Sequence, residues 1–213
     1  MVRIRDCRLV TERSDHISAA AAAIRRGTVV VAPDEGMYAL VCDAFSAPAV
    51  AQIRELKGRA NSPLAVLVGA HGTVAGISSQ IPTYATDLMQ AFWPGPLTLI
   101  LRQQPSLAWP LHAPGVAVRM PLHPVLLSLV REVGPTAVTA ANAAGYPTNQ
   151  ELSTALEQLD DRPGVALDVG DIAVAERSTV IDATGEIPVI MRTGAFGTDR
   201  IEAVCPDFEV RPG

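Results

Sequence analysis

Four cationic side chains occur where helices or strands of the sequence are predicted to end. Lys57 and Arg59 form a Lys-x-Arg pair behind a predicted helix, while Arg119 and Arg192 each belong to a short apolar run. An arginine in an apolar run needs a carboxylate partner or a polar cavity, because a buried unpaired charge is costly. The four positions therefore predict a local anion site in a chain whose formal net charge is -5.

The cations also have ordinary structural explanations, which the residues alone leave open. Lys57 and Arg59 could complement the dipole at a helix C-terminus. All four could instead pair with some of the 22 acidic residues. The spacing alone does not show that they converge on one site.

Several familiar chemistries are excluded by motif. The sequence contains neither a GxxxxGK[ST] nor a GxGxxG phosphate loop, and it has no GxSxG nucleophile elbow. The histidines at 16, 71, 112 and 123 lack the spacing of a zinc site, so no protein-bound metal is expected. We interpret His123 as a structural residue at the start of a helix. The acidic net charge offers no global attraction for nucleic acid.

Cysteine usage and hydropathy indicate the compartment. The three cysteines, Cys7, Cys42 and Cys205, form no CxxC pair and are typical of reduced residues in a cytoplasmic protein. We see neither a signal peptide nor an apolar run long enough to span a membrane. The expectation is a soluble, cytoplasmic protein without a membrane partner.

Apolar runs alternate with amphipathic segments along the chain, a pattern that predicts an α/β domain with one mixed sheet. The predicted strands are 28–32, 38–44, 64–68, 97–102, 116–120, 137–141, 165–169, 179–182 and 189–192. The predicted helices are 14–26 with Ser14 and Asp15 as caps, 46–58 with Ser46 as cap, 82–92, 123–133 and a short one capped by Thr198. Gly27, Gly58 and Gly134 supply helix stops.

Seven short motifs follow one another between about Gly27 and Gly194. They are 33–40 (PDEGMYAL), Lys57-Gly58-Arg59 with Pro63-Leu64, 92–98 (FWPGPLT), 118–124 (VRMPLHP), 139–145 (TAANAAG), 178–182 (STVID) and Arg192-x-Gly194. In this order they resemble the YrdC-like, threonylcarbamoyl-AMP synthase family in its short form. The resemblance implies a twisted open mixed sheet flanked by helices, with a basic concave pocket, in a single domain over residues 1–213.

The resemblance also implies a function. Enzymes of this family join L-threonine, bicarbonate and ATP, with Mg²⁺, into threonylcarbamoyl-AMP and pyrophosphate for the t6A modification of tRNA. Some members bind tRNA or double-stranded RNA. Matching motif positions would bind the nucleotide through Lys57, Arg59, Ser62, Asn142, Thr148 and Arg192, and the amino acid through Asp34, Arg119 and Ser178. No catalytic side chain is assigned.

Four positions depart from the family pattern. Asp34 and Gly36 replace threonines, Ala39 replaces a glycine, and Ala140 replaces a serine. A carboxylate at position 34 would repel a substrate carboxylate, attract an amine, or neutralise Arg119. Two hypotheses follow, an enzyme of this type with a changed amino-acid substrate, or a non-catalytic nucleotide- or RNA-binding paralogue.

Overall fold

The computed structural model describes residues 2–58, 64–111, 115–159 and 163–211. In these residues twelve strands form one sheet, flanked by helices. The strands are β1 Arg3–Asp6, β2 Val30–Asp34, β3 Met37–Asp43, β4 Ala65–Leu67, β5 Ser78–Gln80, β6 Leu97–Gln103, β7 Gly115–Arg119, β8 Thr136–Ala140, β9 Val165–Asp168, β10 Thr179–Asp182, β11 Val189–Arg192 and β12 Glu209–Val210. The helices are α1 Val10–Arg25, α2 Ala47–Leu56, α3 Val74–Ile77, α4 Thr83–Phe92, α5 Pro124–Val133, α6 Leu152–Gln158 and α7 Thr198–Glu202.

The sheet is mixed, as the sequence predicts. Its strand order is β1-β9-β2-β3-β8-β4-β7-β6-β10-β11-β12, with β5 paired to β6 beside this path. Hairpin pairs such as β2–β3 and β6–β7 are antiparallel, whereas β2–β9, β4–β7 and β6–β10 are parallel. Parallel pairs require crossover connections, and the helices that form them cover the sheet.

The sheet buries apolar side chains on both faces. Along β3, Leu40 and Cys42 belong to one core cluster while Ala39 and Val41 belong to the other. Side chains of a strand alternate between faces, so a strand covered on both sides has a continuous apolar run rather than an alternating one. This explains why the central strands are recognisable in the sequence.

The β2–β3 hairpin extends further than the sequence predicts. We expected Pro33 to end the first strand, but β2 continues to Asp34. Tyr38, the register partner of Pro33, receives a hydrogen bond from Ala141 and donates one to Asn149. The main-chain N–H and carbonyl of Tyr38 therefore bond to segments other than β2. For this reason the missing N–H of Pro33 costs no hydrogen bond between β2 and β3. The extension places Asp34 at the tip of the sheet.

Helix ends match the sequence prediction in part. Ser46 caps α2 by accepting a hydrogen bond from the Ala49 N–H at 3.4 Å, and Gly134 ends α5 with φ of 98°. The predicted cap of α1 is wrong, because that helix begins at Val10 with Leu9 as its N-cap. Short elements with mixed composition, namely β1, α3, β5, α6 and β12, were not predicted. No helix in the described ranges has the length and apolar character needed to cross a bilayer.

Candidate functional site

A cavity of about 530 Å³ opens where several strands and two loops end together. Its walls come from the β2–β3 turn, the ends of β7, β8 and β11, and the two irregular segments 146–148 and 175–178. The lining residues are Asp34, Glu35, Gly36, Met37, Pro96, Arg119, Thr139, Ala140, Tyr146, Pro147, Thr148, Ala175, Glu176, Arg177, Ser178 and Arg192. The volume is that of a typical small-molecule site.

Five residues predicted from the sequence line this cavity together, although they are far apart in the chain. They are Asp34, Arg119, Thr148, Ser178 and Arg192. The lining contains three arginines and three carboxyl groups, and two of those carboxyl groups are held by Arg119. Arg59 and Ser62 lie outside the described residues.

Lys57 and Asn142 do not line the cavity but bond to each other next to it. The Lys57 ammonium donates to the Ala140 carbonyl at 3.0 Å, to the Asn142 carbonyl at 2.7 Å and to the Asn142 side-chain oxygen. The Asn142 amide in turn donates to the Tyr146 carbonyl at 2.5 Å. Lys57 thereby holds the turn after β8, which leads into the cavity wall at Tyr146.

Arg119 is satisfied by two carboxylates from the β2–β3 turn. Its guanidinium forms ion pairs with Asp34 and with Glu35, and the three side chains are only 10%, 2% and 14% exposed. The second oxygen of Glu35 accepts hydrogen bonds from the main-chain N–H of Leu122 and from that of His123, the latter at 3.0 Å. The sequence prediction that Arg119 needs a carboxylate or a cavity is confirmed on both counts.

Burial and pairing shift the ionisation of this Arg119–Asp34–Glu35 cluster. Burial raises the pKa of Asp34 to about 7, against the pull of the Arg119 charge. Burial alone would also raise the pKa of Glu35, but hydrogen bonds and the Arg119 charge outweigh it and lower that pKa to about 2. Burial opposes the Arg119 charge too, yet its two carboxylate partners raise its pKa above the ordinary value. Asp34 is therefore the carboxyl that takes up a proton first.

A second pair of arginines lines the cavity away from that cluster. Arg192 donates through Nε and Nη2 to the Ser178 carbonyl, at 3.0 and 2.8 Å, and through Nη2 to the Ser178 hydroxyl at 3.0 Å. That hydroxyl also accepts from Thr98 at 2.9 Å. Burial, together with the like charge of Arg177, lowers the pKa of Arg192.

Neither Arg177 nor Arg192 has an ion-pair partner among the described residues. Two neighbouring cations without carboxylates, beside hydroxyl groups, form a site suited to an oxyanion. Sequence reasoning missed Arg177, because it lies in an irregular segment; its position directly before Ser178 was the available signal.

The irregular segment 171–178 lies across the β2–β3 turn. Gly36 has φ of +74°, and a Cβ atom there would lie 2.8 Å from the Ala175 nitrogen. The start of the segment is anchored by Tyr38, whose hydroxyl donates to the Gly170 carbonyl at 2.7 Å. Glycine at position 36 thus allows the segment to approach the turn and close one side of the cavity.

The described side chains do not form a metal centre by themselves. They contain no group of three or more histidine, cysteine, aspartate or glutamate residues placed to hold a metal ion. Glu176 is the exposed carboxylate of the cavity and has no ion-pair partner in the described ranges. This donor set fits Mg²⁺ only as an ion bound mainly by substrate phosphates and water.

Comparison with known proteins agrees with this fold and site. The Sua5/YciO/YrdC family model, which is described as "Telomere recombination", matches residues 22–194. A Mycobacterium tuberculosis protein, provisionally named a threonylcarbamoyl-AMP synthase, is 43% identical over 93% of each chain. The threonylcarbamoyl-AMP synthase of Bacillus subtilis is 37% identical over 92% of this chain and 58% of its own length.

A solved structure extends the similarity to three dimensions. Pyrococcus abyssi Sua5 complexed with L-threonine superimposes with a TM-score of 0.88 at 32% identity, covering 100% of this chain and 63% of that one. The fold prediction is confirmed by this match. On the matched family model, the similar relatives and the shared architecture, the chain belongs to the Sua5/YciO/YrdC family.

Proposed function

We propose that this chain is an L-threonylcarbamoyladenylate synthase-like enzyme. It takes ATP, bicarbonate and an amino compound, joins the carbamate of that compound to AMP, and releases pyrophosphate. The observation that carries the proposal is that Arg177 and Arg192 line a cavity of about 530 Å³ in a fold of this family and have no ion-pair partner among the described residues. The relatives named threonylcarbamoyl-AMP synthase support the same reaction type.

The reaction places unusual demands on charge. The amine and bicarbonate condense to a carbamate with loss of water, and a carbamate oxygen then attacks the α-phosphorus of ATP. The bond from that phosphorus to the β-phosphate oxygen breaks, and pyrophosphate leaves. Since the carbamate and ATP are both anionic, positioning and charge neutralisation matter more than a protein nucleophile.

The cavity residues have roles that suit this chemistry. Arg177 and Arg192 hold the phosphate oxygens, and Arg192 is itself oriented by Ser178. Thr148 lines the same cavity and offers a neutral hydrogen bond to the nucleotide. Lys57 and Asn142 position the wall at Tyr146 from outside. The family resemblance adds Arg59 and Ser62 to the nucleotide side.

Magnesium enters this proposal as part of the substrate, MgATP. The ion neutralises phosphate charge, and Mg²⁺ commonly combines phosphates with one or two carboxylates and water. Glu176 is the lining carboxylate placed to contribute to that shell. The remaining carboxylates of the cavity are occupied by Arg119.

With L-threonine as the amino compound, the product would be threonylcarbamoyl-AMP, the donor for the t6A modification of tRNA, and tRNA would be the downstream partner. The L-threonine in the Pyrococcus abyssi Sua5 structure supports an amino compound as the second ligand of this fold.

A pyrophosphate-release assay tests the proposal. Purified protein with MgATP and bicarbonate should release pyrophosphate only when an amino compound is added, and calorimetry should detect ATP or AMP binding that weakens with salt. Asp87→Asn, at an exposed position on α4 outside the cavity lining, is the control variant. Absence of nucleotide binding at low salt would reject the proposal.

One observation favours a second candidate function. Arg119 is held by Asp34 and Glu35, so the group expected to bind the amino-acid carboxylate is occupied. A non-catalytic nucleotide- or RNA-binding paralogue would keep the cation pair and lose the reaction. Tight ATP or RNA binding without pyrophosphate release, over a panel of amino compounds, would identify this alternative.

A further inference from the structure

The Arg119–Asp34–Glu35 cluster resembles a binding site that already contains its ligand. Arg119 offers two guanidinium nitrogens, Nη1 and Nη2, to its partners, and each is bonded to a carboxylate of the protein. A substrate carboxylate bound there would have to share the guanidinium with both of them or displace one. Above pH 7, where Asp34 is ionised, an incoming carboxylate would also be a third negative charge beside one positive charge.

The two protein carboxylates are held by more than Arg119. Asp34 accepts a hydrogen bond from the Glu35 N–H at 2.9 Å, and Glu35 accepts from the N–H groups of Leu122 and His123. Displacing either carboxylate would break several bonds in a site where the side chains are almost fully buried. Leaving a buried carboxylate without its partner is strongly unfavourable.

The cavity is consequently polarised. Two of the lining carboxyl groups, those of Asp34 and Glu35, share the single guanidinium of Arg119, while Arg177 and Arg192 have no ion-pair partner among the described residues and the third lining carboxylate, Glu176, is exposed. A ligand that complements both sides has an anionic group for the arginines and a neutral or positively charged group for the Asp34 side. The nucleotide of the proposed function supplies the anionic group.

We propose that the amino compound used by this protein is a primary amine without an α-carboxylate. The inference rests on the proposed function and defines the substrate class of the same site. The amine R–NH₂ reacts with bicarbonate to give R–NH–COO⁻ and water, and a carbamate oxygen then displaces pyrophosphate from the α-phosphorus of ATP to give R–NH–CO–AMP, in which that oxygen bridges carbon and phosphorus. Asp34 is the specificity-determining residue, because it occupies the guanidinium that an α-carboxylate would need.

A matched pair of probes tests the inference. L-Threonine and 1-aminopropan-2-ol differ only in the carboxylate, so their comparison isolates that group. With saturating AMP present, calorimetry on the wild type should show at least about tenfold tighter binding of the amine, equivalent to ~1.4 kcal/mol. Pyrophosphate release with MgATP and bicarbonate should show the same preference.

Two variants assign the preference to position 34. Asp34→Thr combined with Ala140→Ser restores the family residues at these two positions and should shift the preference toward L-threonine by about tenfold or more. Asp34→Asn removes the charge with little change of shape, so it should lower the preference for the amine even if the double variant folds poorly. Asp87→Asn should leave the preference unchanged.

The outcomes separate the inference from the proposed function. Wild-type protein that binds L-threonine as tightly as the amine, or binds neither, overturns the inference. A preference unchanged by Asp34→Asn removes its structural basis. Absence of ATP binding to the wild type would instead reject the proposed function. The relative affinities of 1-aminopropan-2-ol and L-threonine, measured without nucleotide, would still test whether the Arg119–Asp34–Glu35 cluster excludes a carboxylate.

Discussion

The ammonium group of Lys57 bonds to the main-chain carbonyl of Asn142 at 2.7 Å, although 85 residues separate them. This contact joins the end of α2 to the turn after β8, whose far end is the cavity wall at Tyr146. A residue predicted to hold phosphate thus also shapes the wall of the site. Its removal should therefore be visible in both folding and binding.

For Lys57→Ala we expect a loss of nucleotide affinity and of stability together. Three acceptor atoms would lose a charged donor, and hydrogen bonds to charged groups contribute ~1.5–3 kcal/mol. Calorimetry with ATP and urea unfolding of the same preparation measure the two effects. Reduced affinity with unchanged stability would mean that Lys57 acts on the ligand alone.

Arg119→Ala should destabilise the fold severely, because it leaves Asp34 and Glu35 buried without a counter-charge. Breaking a buried ion pair by removing one partner typically costs ~3–5 kcal/mol. Urea unfolding should show this loss, whereas Arg26→Ala on the surface after α1 should change little. Adding Asp34→Asn to Arg119→Ala should recover part of the stability. If the double variant is no more stable than Arg119→Ala, the cluster is not coupled in this way.

Asp34 should give the protein a distinctive pH dependence. Its folded pKa of about 7 lies above its ordinary value of 3.8, so the folded state binds the extra proton between these values. The stabilisation associated with that proton is complete below pH ~4 and is lost as the pH rises toward ~7, with a slope of at most ~1.4 kcal/mol per pH unit. Glu35 acts oppositely at lower pH, because its pKa is lowered to about 2.

Comparing wild type with Asp34→Asn isolates that contribution. Unfolding free energies measured at pH 5, 6, 7 and 8 should show the wild type losing stability relative to the variant up to pH 7 and running parallel above it. Parallel curves over the whole range would show that Asp34 is ionised throughout.

Arg177→Ala and Arg192→Ala should each weaken ATP binding. Each substitution removes one charge-assisted phosphate contact, for which we expect about 10- to 100-fold lower affinity. Arg211→Ala, an exposed position outside the cavity lining, is the control. Removal of one arginine also relieves its repulsion of the other. The fold-loss of ATP affinity in the double variant should therefore be smaller than the product of the fold-losses in the two single variants. Independent, fully multiplicative losses would place the arginines on separate ligands.

Sequence reasoning succeeded where the residues are constrained by their neighbours. β3 and β7 are buried strands, so their apolar runs were recognisable, and an arginine inside β7 had to find a partner. The family resemblance offered Asp34 as one possible partner, but Glu35 could not be identified, because both carboxylates meet Arg119 only through the sheet order. Position in the sequence does not encode that neighbourhood.

The irregular wall of the cavity was least predictable. Arg177 and Tyr146 lie in segments without helical or strand periodicity, where no pattern fixes the direction of a side chain. The start of α1 was also misplaced, because Leu9 caps it without a side-chain hydrogen bond. Ser14 and Asp15 are residue types that favour a helix start, but in the structure both lie inside α1, which begins at Val10.

Because Ala175 lies close to Gly36, positions 34 and 36 of the β2–β3 turn differ in how readily they accept the family's threonine. Asp34 lies in extended backbone, so threonine can return there by a single substitution. Threonine at position 36 would need a φ near +74° and would bring its Cβ within 2.8 Å of the Ala175 nitrogen. Segment 171–178 would have to move first, so the backbone accepts the family's threonine at position 34 but not at position 36.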